Sequence, residues 1–281
     1  MTLEQFIDLS LAEDVGSGDH SALACIPADA VHSAKLLIKS DGILAGVAVA
    51  EMIFRRIDPE IKMTKFLDDG AVVQTGNIAF TVLGNTRHIL TAERLVLNCM
   101  QRMSGIATLT NRYVKAVAHT NAKILDTRKT TPLFRYLQKW AVKIGGGYNH
   151  RFGLYDMIMI KDNHHDFCGG IKPAIERARQ YVQDNNLSIK IEIEVRNIKE
   201  LQEVLQVGKV DRIMLDNFSP QTMKTAVQLI DKQYETEASG GITLETISEY
   251  AETGVDYISV GALTHSYQSL DMSLKAYSGN L

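Results

Sequence analysis

The sequence has few of the residues that mark secreted, disulfide-linked or nucleic-acid-binding proteins. Among 281 residues there are only 3 cysteines, 5 prolines and 1 tryptophan. Cys25, Cys99 and Cys168 are odd in number and share no metal-binding or redox spacing, so the sequence predicts reduced thiols rather than a disulfide framework. Excess positive charge is also missing, because the formal net charge is −3, and this argues against nonspecific binding to nucleic acid.

A long apolar run is absent as well. The longest stretch, residues 42–53, contains Glu51 and falls short of the roughly 20 residues that a membrane-spanning helix needs. The opening residues, MTLEQFIDLSLAED, have no basic segment followed by an apolar core, so no secretory signal is predicted. The sequence therefore predicts a cytoplasmic protein that binds no membrane, and its 45% hydrophobic residues suffice for a substantial core.

The first part of the chain predicts a mixed region of helices and short strands. Thr2 is placed to cap a first amphipathic helix. Short strands broken by glycine and aspartate are predicted within residues 34–83, around a helix from Val47 to Ile57. A longer helix is predicted over residues 91–113, and Arg94 lies beside its apolar stripe.

After Thr120 the pattern changes to strands that alternate with helices. The predicted strands are Lys123–Leu125, Met157–Ile160, Ile189–Val195, Arg212–Leu215, Glu235–Ala238 and Tyr257–Val260. Such repetition indicates a parallel sheet closed, or nearly closed, as an α/β barrel. Unusual residues follow the strands, namely Arg128, Lys129, Lys161, Glu194, Asp216, Ser239 and Gly261. Barrels of this kind place their active sites at the carboxyl ends of the strands, so these residues predict a site.

Positive charge is concentrated between Asp126 and Asn163. Arg135, Lys139 and Lys143 recur every four residues, which is typical of the solvated face of a helix that ends at Gly145. The other cations come where elements end, and they are Arg128, Lys129, His150, Arg151 and Lys161. Because like charges repel unless something negative offsets them, this second group predicts an anionic ligand.

Two acidic strand ends and two glycine loops complete the predicted site. Glu192 and Glu194 share one face of a strand; Glu194 is the better site candidate, and Glu192 is expected to pair with a lysine. Glu194 and Asp216 are suitable partial ligands for Mg²⁺. The last two strand-end loops contain Ser239, Gly240, Gly241 and Gly261, and loops in that position of a barrel often bind phosphate.

Several motifs, in this order, resemble the quinolinate phosphoribosyltransferase family. They are LTAERLVLNCMQRMSGIATLT, DTRKTTP, GGGYNHRFGLYDMIMIKDNH, IEIEV, LDNF, SGGIT and AETGVDYISVGALTHS. The resemblance implies an N-terminal α/β sandwich domain at residues 1–106 and a C-terminal α/β barrel at residues 107–265, with residues 266–281 packing on the first domain. It also implies a homodimer and leaves higher oligomers open.

The resemblance further implies a reaction and a role for each residue. Quinolinate and phosphoribosyl pyrophosphate would give nicotinate mononucleotide, pyrophosphate and CO₂, with Mg²⁺ as cofactor. Arg94 would reach the quinolinate carboxylates from the partner subunit. The same pocket would be lined by Arg128, His150, Arg151 and Lys161. The phosphoribosyl side would be held by Lys129, Glu194, Asp216, Ser239, Gly240, Gly241 and Gly261.

The sequence departs from the family pattern at three positions and leaves other functions open. Phe134 is expected to stand where glycine is usual after TTP, Trp140 where tyrosine is usual, and Arg196 where an acidic residue is common. One alternative is a relative of the same fold associated with molybdate transport. A second is a barrel lyase that forms a Schiff base at Lys161. A non-catalytic anion-binding protein is the third. The role of His150, direct contact with substrate or orientation of a neighbour, also stays open.

Overall fold

The computed structural model describes residues 1–277 and divides into two compact units. Unit 1 comprises Met1–Asn111, Thr130–Gly146 and Leu263–Leu281, of which residues 278–281 lie outside the described part. Unit 2 comprises Arg112–Lys129 and Gly147–Ala262. No helix within residues 1–277 is long and apolar enough to cross a membrane.

The helices and strands alternate in the order that the sequence predicts for the second half of the chain. The helices are α1 (Leu3–Val15), α2 (His20–Cys25), α3 (Val47–Ile57), α4 (Thr86–Ala116), α5 (Arg135–Ile144), α6 (Asp162–Cys168), α7 (Ile171–Asp184), α8 (Ile198–Val207), α9 (Pro220–Ile230), α10 (Ile247–Ala251) and α11 (Ala262–His265). The strands are β1 (Val31–Ile38), β2 (Gly42–Ile43), β3 (Lys62–Lys65), β4 (Val72–Val73), β5 (Ile78–Asn85), β6 (Lys123–Leu125), β7 (Met157–Ile160), β8 (Lys190–Val195), β9 (Arg212–Asp216), β10 (Glu235–Ser239), β11 (Tyr257–Ser259) and β12 (Met272–Tyr277).

Unit 1 is built on an antiparallel sheet with the strand order β12-β1-β5-β3. Thr2 caps α1 through a reciprocal pair of hydrogen bonds with Gln5, as its position predicts. Helix α3 supplies the apolar face over the sheet, where Phe54 meets Phe80 edge to face at 6.2 Å between ring centroids. Strand β12 pairs with β1, so the C-terminal segment completes this sheet, and residues 278–281 of the predicted segment 266–281 lie outside the described residues.

Residues 130–146 belong to unit 1, although the predicted domain limits place them with the barrel. Close packing on α4 explains this, because a Cβ atom on Gly145 would lie 2.5 Å from the carbonyl oxygen of Ala107. The Gln138 amide donates to the carbonyl oxygen of Thr264 at 3.0 Å, and the Phe134 ring lies 5.6 Å from that of Phe6. The compact units therefore interleave along the chain more than a single boundary near residue 106 implies.

Two expectations about this segment are wrong. Lys139 is 2% exposed, so it does not lie on a solvated face; the buried arc of α5 is wider than its apolar stripe and also encloses Gln138. The conformation that favours glycine occurs at Leu133, which follows TTP directly and has a φ of 63°, rather than at Phe134. A leucine therefore occupies the left-handed position of this turn.

Unit 2 contains a parallel sheet with the strand order β6-β11-β10-β9-β8-β7. Each of the six predicted strands is present within two residues of its expected limits, with helices α6–α10 between them, and the predicted fold class is confirmed. Next to β6, Tyr148 forms a parallel bridge with Leu125. The bridge carries the segment before His150 along the edge of the sheet, on the side of β6 away from β11.

The two faces of this sheet differ in chemistry. Along β8, Ile191, Ile193 and Val195 alternate with Glu192 and Glu194, and all five are buried. The apolar face is covered by buried helix residues such as Leu201, Val204, Met223 and Ala226. The other face, called here the polar face, carries Glu192, Glu194, Arg212, Met214, Asp216, Glu235, Glu237 and Ser239 at alternate positions of neighbouring strands. Charged side chains are therefore buried inside unit 2, on the polar face of its sheet.

Candidate active site

The structure brings the predicted strand-end residues of unit 2 to one edge of the parallel sheet. Because all neighbouring strands are parallel, their carboxyl ends lie on the same side. The predicted site residues that follow or end these strands are Arg128, Lys129, Lys161, Glu194, Asp216, Ser239, Gly240, Gly241 and Gly261, and His150 with Arg151 follow the bridge beside β6. Arg94 is in unit 1, exposed on α4.

Arg128 and Arg151 form the cationic part of this edge. The Arg151 guanidinium donates to the carbonyl oxygen of Met157 at 3.1 Å, which ties it to β7. Burial, and next the like charge of Arg128, lower the pKa of Arg151. The Nε atom of Arg128 is buried and makes no hydrogen bond to any residue in 1–277. Two guanidinium groups close together, one with an unused donor, fit an anion with paired carboxylates.

Lys161, Glu194 and Asp216 form the acidic part. Lys161 Nζ lies 3.3 Å from a carboxylate oxygen of Glu194, and the Lys161 side chain is 48% exposed. Burial raises the pKa of Glu194, Lys161 lowers it, and the nearby charge of Asp216 raises it again. Two carboxylates that repel each other fit a divalent cation with oxygen ligands, which is the donor set that Mg²⁺ prefers. Half-exposed and paired, Lys161 does not sit in the desolvated apolar pocket that activates a Schiff-base lysine.

The loop after β10 has backbone donors that no described residue uses. Gly240 has a φ of 99°, and a Cβ atom there would lie 2.3 Å from Oδ1 of Asn217, so only glycine fits. The N–H groups of Gly240 and Gly241 donate to no residue within 1–277. The following helix, α10, begins only at Ile247, so the loop itself, not a helix end, presents these donors. Gly261, by contrast, is followed at once by the four-residue helix α11.

His150 is 7% exposed and is held from three sides. Its backbone N–H donates to Oδ1 of Asp126 at 2.9 Å, and its ring Nδ1 accepts the Arg151 backbone N–H at 2.7 Å. Its Nε2 lies 3.0 Å from a carboxylate oxygen of Glu192 and 3.4 Å from one of Glu237. We call His150, Glu192, Glu237 and Arg212 the buried cluster.

The proton distribution in the buried cluster follows from these contacts. Burial alone would lower the pKa of His150, but hydrogen bonding and the negative charges of Glu192 and Glu237 outweigh burial and raise this pKa to about 9. Burial, and next the charge of Glu237, raise the pKa of Glu192 to about 7. Because Nδ1 accepts the Arg151 N–H, the ring N–H lies on Nε2, where it faces the carboxylates of Glu192 and Glu237.

Arg212 completes the charge balance of the buried cluster. Its guanidinium lies 3.0 Å from a carboxylate oxygen of Glu237 and 3.2 Å from one of Glu235. Glu192 therefore pairs with a histidine, and the expectation of a lysine partner is wrong. Removing one partner from a buried pair typically costs about 3–5 kcal/mol, because it leaves an uncompensated charge. His150, Glu192 and Glu237 are also residue types that bind metals, but here the Arg212 guanidinium already neutralises the Glu237 carboxylate.

The sequence pattern missed Glu237, Arg212 and Asp126. Glu237 lies mid-strand in ETEAS, two residues before the strand end, and a period of two is the only signal that would place it beside Glu192. The departure at Arg196 is explained by the fold: its guanidinium binds Asp166 at 3.0 Å through each of two nitrogens, and Glu200 at 2.7 Å. These contacts tie it to α6 and α8 instead of to Glu194.

The chain matches one protein family over both of its units. The family described as quinolinate phosphoribosyl transferase, N-terminal domain, matches residues 19–104, and its C-terminal domain matches residues 106–275. A decarboxylating quinolinate phosphoribosyltransferase of Nicotiana glauca, named as mitochondrial, is 49% identical over 288 residues, covering 97% of this chain and 82% of that protein.

Two bacterial proteins give the same result. A probable nicotinate-nucleotide pyrophosphorylase of Bacillus subtilis is 42% identical over 274 residues, covering 98% of this chain and 93% of that protein. The crystal structure of NadC from Streptococcus pyogenes matches with a TM-score of 0.92 at 39% identity, covering 97% of this chain and 95% of that one. The similarity therefore spans both units.

Proposed function

The chain belongs to the quinolinate phosphoribosyltransferase family, and we propose that the carboxyl edge of its barrel sheet carries out the family reaction with the residue roles set out below. The enzyme converts quinolinate and phosphoribosyl pyrophosphate to nicotinate mononucleotide, pyrophosphate and CO₂, a step of NAD biosynthesis. The observation that carries the proposal is the pair of half-buried guanidinium groups of Arg128 and Arg151, on the same sheet edge as Glu194 and Asp216.

Arg128 and Arg151 bind the two ring carboxylates of quinolinate. Guanidinium forks match carboxylates bidentately, whereas an ammonium cannot, and the unused Nε donor of Arg128 supports this role. Lys161 adds a third cation at the end of β7. Its side chain is 48% exposed and lies 3.3 Å from Glu194, so it can move from this carboxylate to an anion that binds. His150 lies next to Arg151 and is placed to orient it.

Lys129, Glu194 and Asp216 serve the phosphoribosyl side. The exposed Lys129 lies in the loop after β6 and offsets charge on the pyrophosphate as it leaves. Glu194 and Asp216 are the residues that would hold Mg²⁺, which supplies positive charge to the pyrophosphate when bound. The 5′-phosphate is bound by the loop at Ser239, Gly240 and Gly241, with Gly261 on the neighbouring strand end. The N–H groups of Gly240 and Gly241, which no residue within 1–277 accepts, support this.

The order of bond changes follows from these roles. The pyridine nitrogen attacks the anomeric carbon while the bond to pyrophosphate breaks, and the bonding electron pair leaves with the pyrophosphate. Positive charge that develops on the ribosyl carbon is stabilised by the carboxylates of Glu194 and Asp216. The bond between C2 and its carboxylate then breaks and CO₂ leaves. The electron pair stays on C2, where the positive ring nitrogen stabilises it, and C2 takes a proton from solvent.

The assembly and the cellular location complete the proposal. Arg94 is exposed on α4, which supports its reaching the quinolinate pocket of a partner subunit in a homodimer. Cys25, Cys99 and Cys168 are free, which fits a reducing compartment such as the cytoplasm. The Nicotiana glauca relative is named as a decarboxylating quinolinate phosphoribosyltransferase, and this favours quinolinate over a molybdate-related ligand as the substrate.

The test is turnover of the purified protein with quinolinate, phosphoribosyl pyrophosphate and Mg²⁺, following nicotinate mononucleotide and CO₂ together. We expect equal amounts of both products, loss of turnover on chelation and its return when Mg²⁺ is restored. Nicotinate in place of quinolinate is the matched control, because it lacks the 2-carboxylate and should give no product. Mononucleotide without CO₂, or turnover of nicotinate, would contradict the decarboxylating assignment.

A further inference from the structure

The buried cluster carries charge that a substrate at the sheet edge cannot touch. Glu192 and Glu237 are both 0% exposed, whereas Glu194 at the strand end is 7% exposed. In the strand register Glu192 lies opposite Arg212, two residues before Glu194, and Glu237 lies opposite Met214. Their role in the reaction is therefore exerted through another residue.

The contacts lead from these carboxylates to a proposed substrate arginine. Arg212 binds Glu237, and Glu237 and Glu192 approach the same ring nitrogen of His150 at 3.4 and 3.0 Å. The opposite ring nitrogen accepts the Arg151 backbone N–H at 2.7 Å. The imidazole therefore connects two carboxylates on β8 and β10 with the peptide group from which Arg151 extends.

The residues that follow Arg151 form a turn of their own. Phe152 and Gly153 donate their N–H groups to the carboxylate of Asp156, which forms a turn on the solvent side, and Asp156 is exposed. The guanidinium itself is fixed to the carbonyl oxygen of Met157. The ring of His150 is thus the buried support of the Arg151 backbone, and its orientation is set by Glu192 and Glu237.

We propose that Glu192 and Glu237 are positioning residues for quinolinate, which hold the His150 ring so that Arg151 is presented to a ring carboxylate. This inference rests on the proposed function of Arg151. A bidentate guanidinium contact is sensitive to angle, so a small rotation of the His150 ring and of the attached peptide weakens quinolinate binding. The phosphoribosyl side depends on Glu194, Asp216 and the glycine loop, and it stays unchanged.

The test compares isosteric variants within the cluster and beside it. Glu192→Gln and Glu237→Gln keep the side-chain shape but replace a carboxylate that faces His150. Glu235→Gln is the matched control, because Glu235 also binds Arg212 and lies on β10 but does not contact His150. We expect the KM for quinolinate to rise about tenfold or more in the first two, with the KM for phosphoribosyl pyrophosphate within about twofold of wild type. The control keeps both values.

Each other outcome has a defined meaning. If both KM values rise together, or if Glu235→Gln matches the cluster variants, the carboxylates act on stability alone and the inference is wrong. Equilibrium binding of quinolinate, together with the thermal midpoint, gives the same decision for a variant that is too unstable for kinetics. One equivalent of tightly bound metal in the purified protein would also overturn the inference, because the three ligands would then serve a metal. Wild-type turnover is measured first, so a failure of the proposed function is seen separately.

Discussion

At the scale of single residues, Arg128 and Arg151 show what the site requires. Both are half buried, they lie close enough to repel, and the pKa of Arg151 is lowered in part by Arg128. Like charges in this arrangement destabilise the folded protein until an anion binds. The carboxylates of quinolinate, the proposed substrate, would supply that anion.

Replacing either arginine should remove quinolinate use. We expect Arg128→Ala or Arg151→Ala to lower kcat/KM for quinolinate by at least about a hundredfold, because a lost charge-assisted contact in a desolvated site costs about 3 kcal/mol or more. Steady-state kinetics with each substrate varied measures this. Arg177→Ala is the control, since Arg177 is exposed on α7 of the same unit. A variant with near-normal kinetics would remove its arginine from the site.

Residues at strand ends could be predicted from the sequence, but residues within strands could not. A cation or carboxylate directly after an apolar run is visible in one dimension, and this is how Lys161 and Asp216 were found. The partner of Glu192 depends on which of several strands approach each other, so a lysine was expected where His150 is found. The predicted exposure of Lys139 was wrong because helical periodicity does not show how much of the circumference of a helix is buried.

At the scale of elements, the loop after β10 is set by one steric fact. A Cβ atom on Gly240 would overlap the Asn217 side chain, and the φ of 99° strains any other residue. Gly240→Ala should therefore shift the loop and raise the KM for phosphoribosyl pyrophosphate by about tenfold or more, with a smaller effect on quinolinate. Gly254→Ala is a matched control for strain, because Gly254 has a φ of 91° but a Cβ atom there would make only an ordinary van der Waals contact, 3.7 Å from Val227. Equal kinetic effects in both variants would argue against a phosphate loop.

Helix α3 offers a pH-dependent prediction at the same scale. Its N-cap residue, Gly46, has no side chain that could accept a hydrogen bond. The carboxylate of Asp69 accepts the Val47 N–H instead, at 2.8 Å. Burial raises the pKa of Asp69 despite these hydrogen bonds. A raised carboxyl pKa contributes stability that is present at low pH and lost as the pH rises through it.

Asp69→Asn should therefore gain stability relative to wild type as the pH rises from about 4 to 7, because the amide keeps an acceptor and carries no charge. Asp69→Ala, which loses the cap, should be about 1 kcal/mol less stable than wild type at pH 7. Denaturant unfolding at several pH values measures both. An Asn variant that loses stability over this range would show that the charge at the helix end outweighs burial.

Elements were predictable where their apolar pattern was strong. The six strands of unit 2 and helix α3 have their expected positions, because continuous apolar runs and a clear helical stripe leave little choice. Strand β3, with the sequence KMTK, has no buried residue and gave no signal. Helix α4 begins at Thr86, before the predicted start at residue 91, because its first turn carries polar residues that obscure the period.

At the scale of the whole molecule, the proposed dimer makes a prediction of its own. If Arg94 serves the site of the partner subunit, Arg94→Ala and Arg128→Ala should each be inactive alone, yet a mixed dimer would contain one intact site. Equal co-expression should restore about a quarter of wild-type activity, since about half of the dimers are mixed. No recovery, with mixed dimers confirmed by differently tagged subunits, would place Arg94 in its own subunit's site.

The division of the chain into compact units has a consequence for its evolution and engineering. The chain passes from one unit to the other at residues 111–112, 129–130, 146–147 and 262–263. A fragment that starts near residue 106 would keep α5 and β12 but lose Phe6, against which the Phe134 ring packs, and β1, which pairs with β12. A single crossover near residue 106 would divide these packed pairs of unit 1 between two parents, so we expect a chimera of two relatives to be less stable than either parent.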